Sequence, residues 1–229
     1  VSSRIRAISP DGLLGINVGP NKDTKDRLED YLIGLRDFHD IADYITINIS
    51  SPNTEDLRNF HDEVKFDELM NSIEKEKAKL KSKTPIVVKI SPDISDNKVD
   101  KISKILLKYK VRAIIISNTS DGNRENLHNI LKHQKGGLSG KPLEDISNKL
   151  ISEFYKLLKG KIEIIGVGGV DSGKSAYNKF KAGASYVQLY TGMVFQGPNI
   201  VGKIKKELKE LLISDGVSNF REIIGKKNN

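Results

Sequence analysis

No cysteine occurs in the 229 residues, which excludes disulfides, thiolate metal sites and a cysteine nucleophile. Long apolar runs are missing as well. Nothing in the chain approaches the roughly 20 consecutive apolar residues that a bilayer-spanning helix needs. No signal-peptide pattern opens it, and Val1-Ser2-Ser3-Arg4 does not begin with methionine, which reads as a chain cut from something longer. Aromatic residues are not interleaved with basic ones in the way that stacks bases, so nucleic acid is not expected as a partner despite a formal net charge of +8. That charge is spread over stretches of helical pattern such as Glu74 to Lys83 and Lys203 to Lys209, as on solvated helix faces. A phosphate-bearing partner or an anionic membrane is the alternative it leaves open.

What is present is a regular alternation. With 37% hydrophobic residues the chain can bury one sizeable core. Short runs rich in Ile and Val predict strands at residues 13–18, 44–49, 86–90, 113–116, 162–167 and 186–189. Amphipathic stretches predict helices at 25–38, 66–83, 96–109, 143–158, 173–181 and 199–212. Continuous apolar strands are those buried on both faces. Six β-α units in a row therefore predict an α/β fold with a parallel sheet, either doubly wound or a (β/α)8 barrel, two units short of closure. With no linker, repeat or low-complexity segment, residues 1–229 read as a single domain.

Almost every predicted strand ends in small polar residues or glycine. The clusters are Asn17-Val18-Gly19, Asn48 through Thr54, Lys89 through Asp93, Ser117-Asn118-Thr119, Gly166 through Gly169, and Tyr190-Thr191-Gly192. Any one of these is an ordinary turn. Six in succession on one face are what a barrel needs, because its catalytic groups lie at the C-terminal ends of the strands. Asn17, Asn48, Asn53 and Asn118 offer donors and acceptors without charge, which suits a planar heterocycle with urea-like edges.

Lys89 closes an apolar strand and needs an anionic partner, either nearby Asp93 or a negatively charged cofactor. Gly168 and Gly169 lead into a helix at Gly173, and bare N–H groups with a helix N-terminus make a candidate phosphate site. The same stretch, Gly168 to Ser175, also fits the P-loop pattern of nucleotide-binding proteins. Against that alternative, the next strand ends Leu189-Tyr190-Thr191, with no acidic residue to hold Mg²⁺.

Taken together the motifs resemble the dihydroorotate dehydrogenase family, class 2, the quinone-dependent branch. They are Gly15-Ile16-Asn17-Val18-Gly19, Asn48 through Thr54, Val88-Lys89-Ile90 with Pro92-Asp93, Ser117-Asn118-Thr119 and Gly136 through Leu143. They continue with Ile165 through Gly169, Ala182 through Ser185, Val187 through Thr191, and Gly197-Pro198, in the family's order over essentially the whole chain.

The resemblance implies a (β/α)8 barrel that holds FMN. It implies an enzyme of pyrimidine synthesis that oxidises dihydroorotate to orotate and passes electrons to a membrane quinone. Carried over by position, Ser51 is the catalytic base, and Thr54 is a candidate relay for its proton. Asn48, Asn53, Asn118 and Thr119 are expected to contact the substrate. Asn17, Asn48, Lys89 and Ser117 are expected at the flavin, and Gly140, Gly169, Tyr190 and Thr191 at the FMN phosphate. Class 1 relatives use cysteine as the base; this chain has none, and Ser51 stands at that position. Class 2 relatives carry an N-terminal helical segment that docks on a membrane and admits quinone, which implies a protein peripheral to a bacterial or mitochondrial inner membrane.

Two departures stand out. The family's first two β-α units precede the stretch matched here, so the predicted strands are the third to eighth and two sheet edges are expected to lie open. After Asn53-Thr54 the family's usual Pro-Gly is replaced by Glu55-Asp56, which adds two carboxylates to a loop near an anionic substrate.

Overall fold

The computed structural model describes residues 1–8, 11–51, 57–122 and 124–228. Helix α1 (Ser2–Ile8) is followed by six alternations: β1 (Gly15–Val18), α2 (Arg27–Phe38), β2 (Tyr44–Asn48), α3 (Glu63–Leu80), β3 (Ile86–Ile90), α4 (Asp96–Lys108), β4 (Ala113–Ile116), α5 (Glu144–Leu158), β5 (Glu163–Gly166), α6 (Gly173–Ala182) and β6 (Tyr186–Val187). A short helix α7 (Thr191–Gln196) and a longer α8 (Ile200–Ser214) follow.

The strands are all parallel, and their order in space is their order in the chain, β1 to β6. A doubly wound sheet reverses direction at a switch point, so this order excludes it and leaves the barrel. Side chains alternate accordingly. Ile45, Ile47, Val88, Ile90, Ile114, Ile116 and Ile164 face outward, where they pack with Leu35, Phe66, Met70, Leu106 and Phe154 of the helices in the main core. Val87, Ala113 and Ile115 face inward, where Tyr44, Ile165 and Val167 join them. Lys89 is two residues from Val87 and so shares the inner face. A third cluster joins α6 and α8 through Tyr177, Phe180, Ile200 and Ile204.

The boundaries shift from the sequence expectation for local reasons. β1 starts at Gly15 because Leu14 is held by Asp43, just before β2: its N–H donates to the Asp43 side chain, Oδ2, at 2.7 Å and its carbonyl accepts from Asp43 N–H at 2.9 Å. α3 begins three residues early because Asp62 caps it, accepting from Val64 N–H at 3.1 Å. β6 is short because β5 ends at Gly166 and offers only Ile165 and Gly166 as partners. The helices α1 and α7 were not expected.

Among the described residues one lysine is fully buried in the outer layer. Lys179 of α6 is fully buried, and its Nζ donates to Ser147 Oγ and Asn148 Oδ1, each at 3.1 Å. Ser147 Oγ lies 2.5 Å from the Val167 carbonyl and 3.2 Å from that of Ile116, at the ends of β5 and β4. Burial pushes the lysine down to about 7, against the opposing pull of Glu144 and Asp145. A neutral amine has two N–H donors, which the two acceptors match. The unfolded chain keeps this proton up to the ordinary lysine value, whereas the folded protein releases it near 7. Between those points the unfolded state binds more protons, so stability rises with pH, by at most about 1.4 kcal/mol per pH unit from this group. Urea denaturation of wild type and Lys179→Met from pH 7 to 10 is expected to show that the variant lacks this part of the rise. Parallel curves would show that the amine stays charged.

Candidate functional site

The inward-facing polar residues gather at the C-terminal rim of the sheet, around two cavities. The inner one, about 390 Å³, is lined by Asn17, Thr46, Asn48, Ser51, Lys89, Asn118 and Gln188 among others. The outer one, about 590 Å³, is walled by Ser117, Asn118, Thr119 and Gly140 and, beyond β5 and β6, by Gly168, Gly169, Tyr190 and Thr191. Lys89 and Asn118 line both, so they stand where the cavities meet.

Register explains the inner cavity. Asn48 of β2 pairs with Lys89 of β3, and Lys89 with Ile115 of β4. Tyr31 of α2 fixes the Asn48 backbone from outside, donating from its hydroxyl to the Asn48 carbonyl at 2.7 Å. The amide oxygen of Asn48 accepts from Ser50 N–H at 3.2 Å and Ser50 Oγ at 2.8 Å. Asn118 Nδ2 donates to Ser50 Oγ at 2.9 Å, while its own oxygen accepts from Thr119 N–H at 2.8 Å. Both ends of the Asn118 amide are thus used within the protein. Asn48 has its oxygen occupied, and its N–H groups find no acceptor among the described residues. Ser50, fully buried, is one residue that sequence reasoning gave no role; an unremarkable serine beside Ser51, it gave no signal of its own.

Lys89 does not pair with Asp93. That carboxylate lies 3.0 Å from Arg58 Nη1 and accepts from Ser120 Oγ at 2.5 Å and Asp121 N–H at 2.9 Å. Burial alone lowers the Lys89 ammonium below the ordinary lysine value, and no carboxylate among the described residues offsets it. A partly buried cation of this kind fits an anionic or electron-rich ligand.

The outer cleft is shaped by close backbone approach. A bridge between Ser120 and Leu138 folds the long β4–α5 connection back over the exit of β4. This sets Ser139 against Thr191, whose Oγ1 donates to Ser139 Oγ at 3.0 Å, and Gly140 against the same threonine. At Gly140 (φ +80°) a Cβ would stand 2.9 Å from Thr191 Cγ2. At Gly169 (φ +77°) it would stand 2.6 Å from Glu144 Cβ. Neither position accepts a side chain without movement of the cleft wall.

The helix at Gly173 does not supply the expected anion site. Gly173 N–H donates to Glu207 Oε2 at 2.6 Å, and Ser172 and Ser175 cap each other. The Ser175 hydroxyl, which a P-loop needs for its metal, accepts from the N–H groups of Asp171 and Ser172 at 3.0 Å. Thr191 and Gly192, at the start of the short helix α7, line the outer cavity.

Of the residues singled out by sequence, Asn17, Asn48, Ser51, Lys89 and Asn118 line the inner cavity. Ser117, Thr119, Gly140, Gly169, Tyr190 and Thr191 line the outer one. Asn53, Thr54 and the Glu55-Asp56 pair lie outside the described residues. The pattern missed Gln188, Leu189, Phe195 and Gln196, which also line the cavities.

A parallel sheet in sequential order, helices outside it and a polar rim at its strand ends define a β/α-barrel protein with its site on the catalytic face of that fold. The dihydroorotate dehydrogenase family model matches residues 4–212, and the chain belongs to that family. It is 40% identical over 227 residues to a dihydroorotate dehydrogenase (quinone) of Bartonella tribocorum, covering 97% of this chain and 63% of the relative. Against the mitochondrial dihydroorotate dehydrogenase (quinone) of Mus musculus the identity is 40% over 235 residues, covering 98% of this chain and 60% of the relative. A crystal structure of dihydroorotate dehydrogenase from Eimeria tenella in complex with ferulenol superposes with a TM-score of 0.95 at 32% identity, over 100% of this chain and 68% of that one. The fold is therefore a (β/α)8 barrel, of which the chain supplies six consecutive β-α units.

Gly169→Ala is expected to cost on the order of 2 kcal/mol or more, from backbone strain and the contact with Glu144. Urea denaturation measures it; a loss under about 1 kcal/mol would mean that the loop yields freely.

Proposed function

We propose that the protein containing this chain oxidises (S)-dihydroorotate to orotate in pyrimidine biosynthesis, with FMN as its cofactor and a membrane quinone as the final electron acceptor. The observation that carries this is the junction of the two cavities. Lys89, with no described carboxylate partner, stands there beside the uncharged amides of Asn48 and Asn118. The names of the relatives, dihydroorotate dehydrogenase (quinone), support the same reading. FMN fits the residues present. Gly140, Gly169, Tyr190 and Thr191 would receive its phosphate in the outer cleft, where the side-chain-free backbone at Gly140 and Gly169 permits close approach. Asn17, Asn48, Lys89 and Ser117 would hold its ring.

Bound there, FMN would supply a two-electron acceptor that can be reoxidised by quinone. The protein's own task is to orient the substrate and move one proton. Oxidation removes a proton from one ring carbon of dihydroorotate and a hydride from its neighbour, leaving the double bond of orotate. Ser51, on the inner cavity, takes the proton. A serine hydroxyl is a weak base and must pass a proton onward, for which Thr54 is the candidate. Asn48 and Asn118, with Asn53 and Thr119, address the ring edges and the carboxylate. The ammonium of Lys89 favours negative charge gathering at the cofactor ring. Among the described residues no helix is long and apolar enough to cross a membrane; the quinone in the relatives' names supports a peripheral association with a membrane for the electron-transfer step.

The protein with its native upstream sequence, loaded with FMN without oxygen, is expected to lose its visible flavin absorbance on adding dihydroorotate and regain it with quinone. Flavin that stays coloured would move the substrate elsewhere within the FMN enzymes. Ser51→Ala is expected to keep its colour and to bleach roughly 100-fold more slowly or worse. Bleaching at the wild-type rate would remove Ser51 from the role of base.

A further inference from the structure

Arg58 lies in the short 3₁₀ turn Leu57–His61, between β2 and α3. Its side chain is three-quarters buried and reaches the exits of two other strands. Nη1 lies 3.0 Å from Asp93 Oδ2, beyond β3, and 2.9 Å from Asp121 Oδ2, beyond β4. Nη2 donates to the Thr119 carbonyl at 3.3 Å. Asp121 is more than half exposed and adds little through water, whereas Asp93 is mostly covered. Asp93 also uses both oxygens, holding Ser120 Oγ with one and the Asp121 N–H with the other. At the far end of the turn His61 is buried, its Nδ1 3.0 Å from the Arg58 carbonyl. His61 Nε2 accepts from Ser91 N–H at 3.3 Å. These partners assign the neutral tautomer with the proton on Nδ1. One turn of chain therefore fastens the connection after β2 to the exits of β3 and β4.

We propose that Arg58, held in place by Asp93, is a positioning residue that sets the Asn118–Thr119 edge against the strand end carrying Asn48 and Ser51. It thereby governs how substrate is engaged more than how the cofactor is held. This rests on the dihydroorotate reading of the inner cavity. The path is short. Arg58 holds the Thr119 carbonyl, Thr119 N–H donates to the Asn118 oxygen, and Asn118 Nδ2 reaches Ser50 Oγ and, at 3.4 Å, Asn48 Oδ1. A shift at Thr119 is therefore passed to the amides that face the ligand. The outer cleft shares Asn118 and Thr119 with this edge, but its far wall at Gly140 and Thr191 is set apart, because Ser120 and Leu138 are joined by backbone hydrogen bonds that need no Arg58 side chain.

The test uses the complete FMN-loaded protein and three readouts: the FMN dissociation constant, the orotate dissociation constant from the flavin absorbance change, and the rate of bleaching by dihydroorotate. Arg58→Gln is expected to weaken orotate and slow bleaching roughly 10- to 100-fold, with FMN affinity within about twofold of wild type. Asp93→Asn, which weakens the shared ion pair but leaves the Arg58–Thr119 contact, is expected to shift both readouts in the same direction by a smaller factor, and the double variant to be no worse than Arg58→Gln. Arg58→Lys, which keeps the charge and loses the fork, is expected to fall between wild type and Arg58→Gln. A lowered melting temperature with orotate affinity and bleaching rate unchanged in Arg58→Lys and Asp93→Asn would overturn the proposal, as would equal losses of FMN and orotate. If wild type itself binds FMN but is not bleached by dihydroorotate, the substrate reading fails and the proposal falls with it.

Discussion

A strand inside a β/α barrel has no wet face. Its outward side chains are covered by helices and its inward ones by the opposite wall, so polar groups are admitted only where the strand runs out. Ile45, Ile47, Val88, Ile90 and Ile114 meet the helices, while Val87, Ala113 and Ile115 fill the interior. The two-residue period then leaves Asn48 and Lys89 on the inner face, registered as neighbours, at the level where the interior opens. The site is in this sense a by-product of closure: the same pattern that dries the sheet lines up an amide and an ammonium at its mouth. Around them, hydrogen bonds among Asn48, Ser50 and Asn118 use up most of the polar capacity. Among the described residues the Asn48 N–H groups and the ammonium of Lys89 are left on the inner face of the cavity, beside Asn17, Thr46 and Gln188.

The architecture was legible because a parallel sheet writes itself in apolar runs. Two strands, Ile86–Ile90 and Ala113–Ile116, have the bounds that their Ile and Val content predicts. Boundaries failed where a distant or capping side chain decides them: Asp43 delays β1 and Asp62 advances α3. The rim clusters were legible for the same reason as the strands they end. Their spacing along the chain equals the repeat of the fold.

Pairings among those residues were not legible. Proximity in sequence offered Asp93, four positions away, as one of two partners for Lys89, but strand geometry sends Lys89 inward while Asp93 meets an arginine from the previous connection. The glycine pair before α6 promised a helix N-terminus for an anion, and Glu207 of α8 arrives there instead. Lys179 gave no signal at all, because one lysine among many in a helical stretch looks solvated until the fold closes over it. Each of these depends on contacts across tens of residues, which periodicity does not encode.

The bridge between Ser120 and Leu138 has a consequence for how this chain can change. It ties off the long β4–α5 connection at its neck, with mutual backbone hydrogen bonds of 3.1 and 2.7 Å. Within the excursion Arg124 gathers the carbonyls of Lys132, Gln134 and Gly136, so that piece of surface is organised by its own residues. Closure entropy grows only slowly with loop length. Residues can therefore be gained, lost or exchanged near the tip, where Ile130 is almost fully exposed, while Ser139 and Gly140 stay where they are. Evolution, or a fused label, has a place on the catalytic face where it can work without touching the chemistry.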